Sequence, residues 1–254
     1  MMNKTLANKT ALITGSNRGI GLSILENFAQ QGCNIYAHSR KESEEFKIKT
    51  KEMALKYGVK INHINFDLRN SSDIREAIMP IIKSKTPIDI LINSAGIIHG
   101  GLFQMTQVSS IRDVFDINFF GMLEITQLIS RYMVRNKRGS IVNIASVAGI
   151  DLSAGNSAYG VSKAAVIAFS KTLSDELSKF GIRVNAIAPS LTNTDMAQTS
   201  EAKKERELLS MSTNDPFERM AKTSEIADLV SFLASDNSSF INGQVIRIDG
   251  GNKF

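Results

Sequence analysis

The chain has 254 residues, of which 43% are hydrophobic and 22% charged, and its formal net charge is +5 at pH 7. A chain of this length can bury the core of a single α/β domain. Its only cysteine, Cys33, excludes an intramolecular disulfide, and His38, His63 and His99 lack metal-ligand spacing, so we expect a reduced protein without a metal site.

Membranes and nucleic acids are not expected as partners. No stretch of the sequence approaches the roughly 18 apolar residues of a membrane span, and no apolar run precedes the first predicted strand. The basic residues are spread along the chain without a nucleic-acid-binding motif. We therefore expect a soluble, cytoplasmic protein whose mild basic excess suits an anionic small ligand or an acidic carrier protein.

Short apolar segments alternate along the chain with longer amphipathic ones. Strands are predicted at residues 10–14, 34–37, 61–66, 88–93, 140–145, 183–188 and 244–248, and helices at 19–31, 43–57, 71–83, 119–136, 157–180 and 224–234. Parallel strands need long crossover connections, which these helices supply. The sequence predicts one α/β domain over residues 1–254 with a Rossmann-type, doubly wound, mainly seven-stranded parallel sheet flanked by helices.

One segment fits this alternation poorly. Residues 191–218 are polar and rich in charge, most densely at 201–207. Open α/β sheets bind ligands beyond the carboxyl ends of their strands, where such a segment would lie. We expect a loop with short helices there, forming a lid over the substrate.

The first predicted strand leads into a glycine-rich turn. Gly15, Gly19 and Gly21 let the backbone turn tightly and approach a pyrophosphate at the positive N-terminus of the next helix. Such glycines can also mark an ordinary strand–helix corner. The strand before and the helix after them favour a dinucleotide site.

The end of the second predicted strand indicates which dinucleotide binds. A carboxylate there would bind the ribose 2′-hydroxyl of NAD and repel the 2′-phosphate of NADP. This chain instead has Ser39, Arg40 and Lys41, with Arg18 in the glycine turn close to the same pocket. Arginine can pair with a phosphate through two hydrogen bonds, although Lys41 can also be read as a solvated helix start. We predict NADP(H).

A tyrosine and a lysine four residues apart begin the long helix predicted at 157–180. Tyr159 and Lys163 then project from one face, and a cation beside a phenol favours the phenolate needed for proton transfer. Ser146 follows a predicted strand and could polarise a substrate oxygen. Each residue alone could be a surface hydroxyl or a helix-face pair. Their position beside a dinucleotide turn favours catalysis.

These motifs together resemble the short-chain dehydrogenase/reductase family, in its simple single-domain form, from about Lys9 to Gly251. Residues 14–21 resemble the TGxxxGxG turn of that family, and residues 93–96, Asn-Ser-Ala-Gly, resemble its NNAG segment. The catalytic tetrad of the family matches Asn118, Ser146, Tyr159 and Lys163. Residues 188–196 are similar to its PGxIxTxM segment, but Ser190 and Thr192 replace the usual Gly and Ile.

The resemblance implies a role for each matching residue. Tyr159 would be the acid and base, Lys163 would lower its pKa and hold the nicotinamide ribose, Ser146 would orient the carbonyl, and Asn118 would anchor a proton-relay water. Besides Tyr159 and Lys163, the implied cofactor-binding residues are Gly15, Asn17, Arg18, Gly19, Ile20, Gly21, Ser39, Arg40, Asp67, Leu68, Asn93, Ala95, Gly96, Pro189, Thr192 and Thr194.

Within the family, Arg18 and the segments 242–244 and 249–251 most resemble bacterial 3-oxoacyl-(acyl carrier protein) reductases of fatty acid biosynthesis. The resemblance implies an NADPH-dependent carbonyl reductase, an acyl carrier protein as possible substrate carrier, and a homotetramer. Of the two basic positions that dock the carrier in those enzymes, one matches Lys137, but the other falls on Phe180. A dehydrogenase of a sugar or other polyhydroxylated metabolite and a non-catalytic NADP-binding regulatory protein remain as alternatives.

Overall fold

Seven parallel strands form a single sheet, as the sequence predicts, and their order in the sheet is β3-β2-β1-β4-β5-β6-β7. The structure is a computed structural model that describes residues 4–84, 86–198, 217 and 219–251. The strands are β1 (Thr10–Ile13), β2 (Asn34–Ser39), β3 (Ile61–Asn65), β4 (Ile90–Asn93), β5 (Gly139–Ile144), β6 (Ile182–Pro189) and β7 (Val245–Ile248).

Helices cover both faces of the sheet, because every crossover between parallel strands must run along a face. The helices are α1 (Gly19–Gln30), α2 (Glu44–Tyr57), α3 (Ser71–Lys83), α4 (Val108–Phe115), α5 (Gly121–Asn136), α6 (Ala148–Asp151), α7 (Tyr159–Ser178) and α8 (Thr223–Ala234).

Alternate residues of the central strands enter opposite layers of the core. Ala11 and Ile13 of β1 pack into the layer beneath α1 and α8, whereas Leu12 packs into the layer beneath α3 and α5. All of these side chains are fully buried. A strand buried on both faces needs apolar residues that point to both, which explains the continuous apolar runs at residues 11–13 of β1 and 90–92 of β4.

The sheet reverses its winding between β1 and β4. β1 pairs with β2 on one side and with β4 on the other, all in parallel, so that the connections on the two sides run in opposite directions. In such sheets a crevice opens beyond the carboxyl ends of the strands at this reversal, and ligands bind there. The glycine turn after β1 lies at this point.

The sequence analysis was wrong about the start of one helix. It began a helix at Phe119, whereas α4 begins at Val108 and continues through a π-helical turn, Asp116–Phe120, into α5. The wider π turn interrupts the 3.6-residue repeat of apolar residues on which the prediction depended. Of the predicted lid, only residues 191–198 and 217 are among the described residues, so most of it lies outside them.

Candidate active site

The glycine turn has a backbone that only glycine accommodates at its tightest points. Gly15 has a φ of +65°, and a Cβ on it would lie 2.7 Å from the Cα of Ala95. A Cβ on Gly21 would lie 2.1 Å from the carbonyl oxygen of Gly15. The turn therefore packs tightly against the segment after β4 and against the start of α1, and its main chain lines the cavity.

Thr14 joins the turn to the neighbouring strand. Its hydroxyl accepts hydrogen bonds from the main-chain N–H groups of Ser94 at 3.0 Å and Ala95 at 3.1 Å. The threonine is 2% exposed, so these bonds are shielded from water. They fix the position of residues 94–96, which form the opposite wall of the same crevice.

His38, at the penultimate position of β2, contacts the glycine turn from the other side. Its Nδ1 accepts from the main-chain N–H of Gly15 at 3.1 Å, and its Nε2 lies 3.1 Å from the carbonyl oxygen of Phe66. The ring stacks on that of Phe66 with 3.9 Å between centroids. Burial lowers the pKa of His38 to about 4, so the ring is neutral at pH 7.

Basic side chains follow His38 at the end of the crevice where NADP selection is expected. Arg40 and Lys41 line the cavity and are exposed, and Asp67 lies across from them. A hydrogen bond from Arg69, 2.6 Å from the carboxylate, lowers the pKa of Asp67 to about 2. The hydroxyl of Ser39 is buried and bonds to Lys41 and Asn65, so it faces away from the cavity.

Tyr159 and Lys163 lie on the first turns of α7, as the sequence predicts. The ammonium nitrogen of Lys163 lies 5.8 Å from the centre of the Tyr159 ring and donates to the carbonyl oxygen of Ile144 at 2.7 Å. Lys163 is 5% exposed, and its burial lowers its pKa to about 8. Lys163 is thus a buried cation beside a phenol on the cavity wall.

Asn118 lies behind the cavity wall, in the π-helical turn. Its side-chain oxygen accepts from the main-chain N–H of Ile97 at 2.8 Å, and its amide donates to the carbonyl of Ile97 at 2.9 Å and to Ser162 at 3.1 Å. Ser162 in turn donates to the carbonyl of Tyr159 at 2.7 Å. Asn118 therefore joins the segment after β4 to the start of α7.

Ser146 lies two residues beyond β5 and lines the same cavity as the glycine turn. Its hydroxyl accepts a hydrogen bond from the main-chain N–H of Ala148 at 3.2 Å. Its main-chain carbonyl accepts one from the main-chain N–H of Gly149 at 3.0 Å. A Cβ on Gly149 would lie 2.6 Å from the carbonyl carbon of Lys163. The short helix α6 thus packs against α7 and places the serine near Tyr159 and Lys163.

The segment after β6 closes the cavity over the glycine turn. The Thr194 side chain lies 3.4 Å from the position of a Cβ on Gly19. The Thr192 hydroxyl donates to the carbonyl of Ser190 at 3.0 Å, and Leu191 and Asn193 pair with Ala221 through main-chain hydrogen bonds. The two departures from the family pattern, Ser190 and Thr192, are thus joined to each other by the threonine hydroxyl.

One cavity of about 610 Å³ brings most of the predicted site residues together. Three do not line it: Ser39 and Asn118, described above, and Asn93, whose side-chain amide donates inward to Thr126 and Asn143. Lining residues that the sequence analysis did not name include His38, Phe66, Ile97, Asp151, Asn156 and Met196.

The described residues also bear on membrane insertion and metal binding. Among them, no helix has the length and apolar character to cross a membrane. Histidine, cysteine and acidic side chains do not gather into a metal-binding group within the same part of the chain.

Comparisons with known proteins agree with this geometry. A family model described as enoyl-(acyl carrier protein) reductase matches residues 15–253. The chain is 36% identical to a 3-oxoacyl-(acyl carrier protein) reductase of Thermotoga maritima, covering 97% of this chain and 98% of the relative, and 34% identical to that of Chlamydia muridarum, covering 98% and 99%. A structure described as a candidate NAD(P)-dependent gluconate 5-dehydrogenase of Beutenbergia cavernae, with bound NADP, superposes with a TM-score of 0.88, 27% identity and 98% coverage of both chains.

Proposed function

The chain belongs to the short-chain dehydrogenase/reductase family of oxidoreductases acting on CH–OH and C=O groups, and on this premise we propose that it is an NADPH-dependent 3-oxoacyl-(acyl carrier protein) reductase. The single observation that carries the proposal is that Ser146, Tyr159 and Lys163 line the same cavity as the glycine turn. A protein that only bound the dinucleotide would not need a phenol beside a buried cation.

The cavity fits a dinucleotide. Its walls approach so closely at the glycine turn that a Cβ on Gly15 or Gly21 would collide with main-chain atoms, which leaves main-chain N–H groups to face a pyrophosphate. A Cβ on Gly96 would lie 3.5 Å from the Lys163 ammonium, so this glycine leaves room beside the cation. When bound, the nicotinamide supplies the hydride that reduces the carbonyl carbon.

Two exposed cations support NADP over NAD. Arg40 lines the end of the crevice that would hold the adenosine ribose, and Arg18 lies in the adjacent turn. Both guanidiniums can pair with a 2′-phosphate, and β2 ends without a carboxylate that would repel it. The relative with bound NADP has the same fold.

The proposed mechanism assigns one task to each catalytic side chain. The hydroxyl of Ser146 binds the substrate carbonyl oxygen, and Tyr159 donates a proton to that oxygen as the carbon is reduced. The cation of Lys163 stabilises the resulting phenolate, and a proton from solvent restores the phenol. That proton would arrive through a water molecule that Asn118 anchors, and because the Asn118 side chain bonds to Ile97 and Ser162, we assign the anchoring to its main-chain carbonyl, which accepts a hydrogen bond from the water.

A second candidate is the reduction or oxidation of a polyhydroxylated metabolite. Asp151, Ser153 and Asn156 line the same cavity and could bind substrate hydroxyl groups. The structural relative described as a gluconate 5-dehydrogenase agrees with this reading. The 3-oxoacyl reductase is preferred because curated relatives of nearly identical length carry that name.

The test is a comparison of substrates at fixed NADPH, followed by nicotinamide absorbance. Reduction of an acetoacetyl thioester, on acyl carrier protein or on a short pantetheine mimic, is the expected result. Preferred turnover of gluconate with NADP⁺ would favour the second candidate. Reduction of a 2-enoyl thioester but not of the 3-oxo compound would contradict the assignment of Ser146 and Tyr159 to a carbonyl oxygen.

Four further features of this proposal rest on the sequence and its resemblance to the family. We propose a single domain with a substrate lid at about residues 191–218 and a homotetrameric assembly. Docking of the carrier protein would use the basic residues beside Lys137, although Phe180 stands at the second basic position of the reductases. Cytoplasmic localisation stays a prediction.

A further inference from the structure

We propose that His38 is a positioning residue for the dinucleotide, holding the glycine turn in the conformation that receives the pyrophosphate. This inference rests on the proposed function, because it concerns the same crevice. His38 is 2% exposed and lines the cavity, but it was not among the residues that the family motifs point to. Its effect on the cofactor would pass through the turn.

The contacts of the ring define a single tautomer. The N–H of Gly15 can only donate, so Nδ1 of His38 must be unprotonated and accept it. The carbonyl of Phe66 can only accept, so Nε2 must carry the proton and donate it. Both bonds are 3.1 Å long, and a neutral ring satisfies both at once.

The main chain of His38 contacts the same turn. Its carbonyl oxygen accepts from the N–H of Ser16 at 2.9 Å and from the Ser16 hydroxyl at 3.1 Å. Together with the ring, this residue therefore joins the turn after β1 to β2 and to the end of β3, through Phe66. These are the strand ends at which a dinucleotide would lie.

The ring bond matters because the Gly15 backbone is constrained. Its φ of +65° is held by close packing on Ala95 from one side and by the His38 ring from the other. Without an acceptor, the Gly15 N–H would lose its partner in the interior, and the turn would become free to adopt other conformations. A turn that must be reordered on binding lowers affinity for any ligand that uses it.

Two amide variants separate the two ends of the ring. In His38→Asn the side-chain oxygen can occupy the position of Nδ1 and still accept from Gly15, whereas in His38→Gln the longer amide reaches the position of Nε2 and the Phe66 carbonyl. His38→Leu offers neither contact. The asparagine variant is thus a conservative rescue of the proposed interaction, and the glutamine variant is its matched control.

The experiment measures the affinity for NADP⁺ and NAD⁺ by calorimetry, without turnover, and then kcat and KM of an accepted ketone at saturating NADPH. We expect His38→Gln and His38→Leu to weaken both dinucleotides about tenfold or more, and His38→Asn to stay within about threefold of wild type. The kcat at saturating cofactor should change little. Arg40→Ala serves as the contrast, because it should weaken only the phosphorylated dinucleotide.

Equal affinities of the asparagine and leucine variants, or wild-type affinity in the glutamine variant, would overturn the inference while leaving the proposed function intact. Circular dichroism and thermal unfolding identify a variant that fails to fold. If the leucine variant fails, the comparison of the asparagine and glutamine variants alone tests the inference. If the wild-type protein binds neither dinucleotide, the proposed function fails and this inference fails with it.

Discussion

Arg247 in β7 holds Asp151, the last residue of α6, through two hydrogen bonds of 2.8 and 3.1 Å. Its Nε also donates to Asp249 at 2.7 Å, and these hydrogen bonds to the two carboxylates raise the pKa of the guanidinium above its ordinary value. Asp151 lines the cavity five residues after Ser146, and Leu152 behind it has a φ of +46°. The ion pair therefore fixes the segment between the serine and Tyr159 in an unfavourable backbone conformation.

We predict that Asp151→Asn loosens this segment without affecting the cofactor crevice. The pair is partly exposed, so the unfolding free energy should fall by only about 1 kcal/mol. The KM for the ketone should rise several-fold while NADPH affinity stays unchanged. A double-mutant cycle with Arg247→Gln checks the pairing, since strictly additive losses would show that the two residues act independently.

Burial of Lys163 makes the folding stability of the protein vary with pH in the alkaline range. Its folded pKa of about 8 is below the ordinary value of 10.5, so the unfolded chain binds this proton more tightly than the folded one. As the pH falls from 10.5 to 8, this group therefore reduces stability, and below pH 8 the penalty is constant. The full penalty is about 3 kcal/mol.

Lys163→Met removes this penalty. The variant should therefore gain stability over wild type at pH 7 but much less at pH 10. We predict that the difference in unfolding free energy, variant minus wild type, is larger at pH 7 than at pH 10 by about 2 kcal/mol. Urea unfolding at the two pH values measures this difference. A relative stability that is the same at both values would contradict a buried, charged Lys163.

Arg40→Ala tests the choice of dinucleotide. Loss of a charge-assisted contact with the 2′-phosphate should weaken NADPH binding about 10–100-fold and leave NADH nearly unchanged. Fluorescence titration of the variant and the wild type with each dinucleotide measures these affinities. Lys41→Ala is the matched control, since we assign the lysine a smaller part. Equal losses for NADPH and NADH would remove the basis for preferring NADP.

The exposed apolar surface supports a prediction of oligomeric state. Phe120 and Val161, at the starts of α5 and α7, are 53% and 46% exposed, and β7 is an edge strand. We expect a homotetramer of about 111 kDa, four times the 27.8 kDa chain, by light scattering. Phe120→Glu should reduce it to dimers if two separate interfaces exist. A monomeric wild-type protein at micromolar concentration would disprove the assembly.

The strands and the catalytic face followed from the sequence because both depend on local patterns. Apolar runs mark the strands, and the Tyr159–Lys163 spacing places both residues on one face of α7. The positions of Ser39 and Asn93 did not follow. Each belongs to a cofactor motif, but its side chain bonds to a residue on a neighbouring strand or helix. Such contacts depend on register and packing, which the local sequence does not specify.

The role of His38 could not be predicted for a related reason. The donor to its ring, Gly15, and the acceptor from its ring, Phe66, are 23 and 28 residues away in the sequence. Only pairing of β2 with both β1 and β3 brings them to the ring. The π-helical turn that places Asn118 was missed because it breaks the helical period.

The central claim is that Tyr159 supplies the proton. In Tyr159→Phe the ring keeps nearly all of its volume but has no proton to donate, so the fold and NADPH binding should persist while turnover falls by on the order of 10²–10⁴-fold or more. Ser146→Ala should likewise lower turnover with NADPH affinity intact. Lys163→Met should weaken NADPH binding as well as turnover, which distinguishes its role from that of the other two.

The most direct measurement is therefore NADPH affinity by fluorescence beside kcat on an accepted ketone, for wild type and Tyr159→Phe in the same buffer. The account predicts equal affinities and a turnover lower by at least about a hundredfold in the variant. A Tyr159→Phe protein that binds NADPH normally and still turns over near the wild-type rate would contradict it.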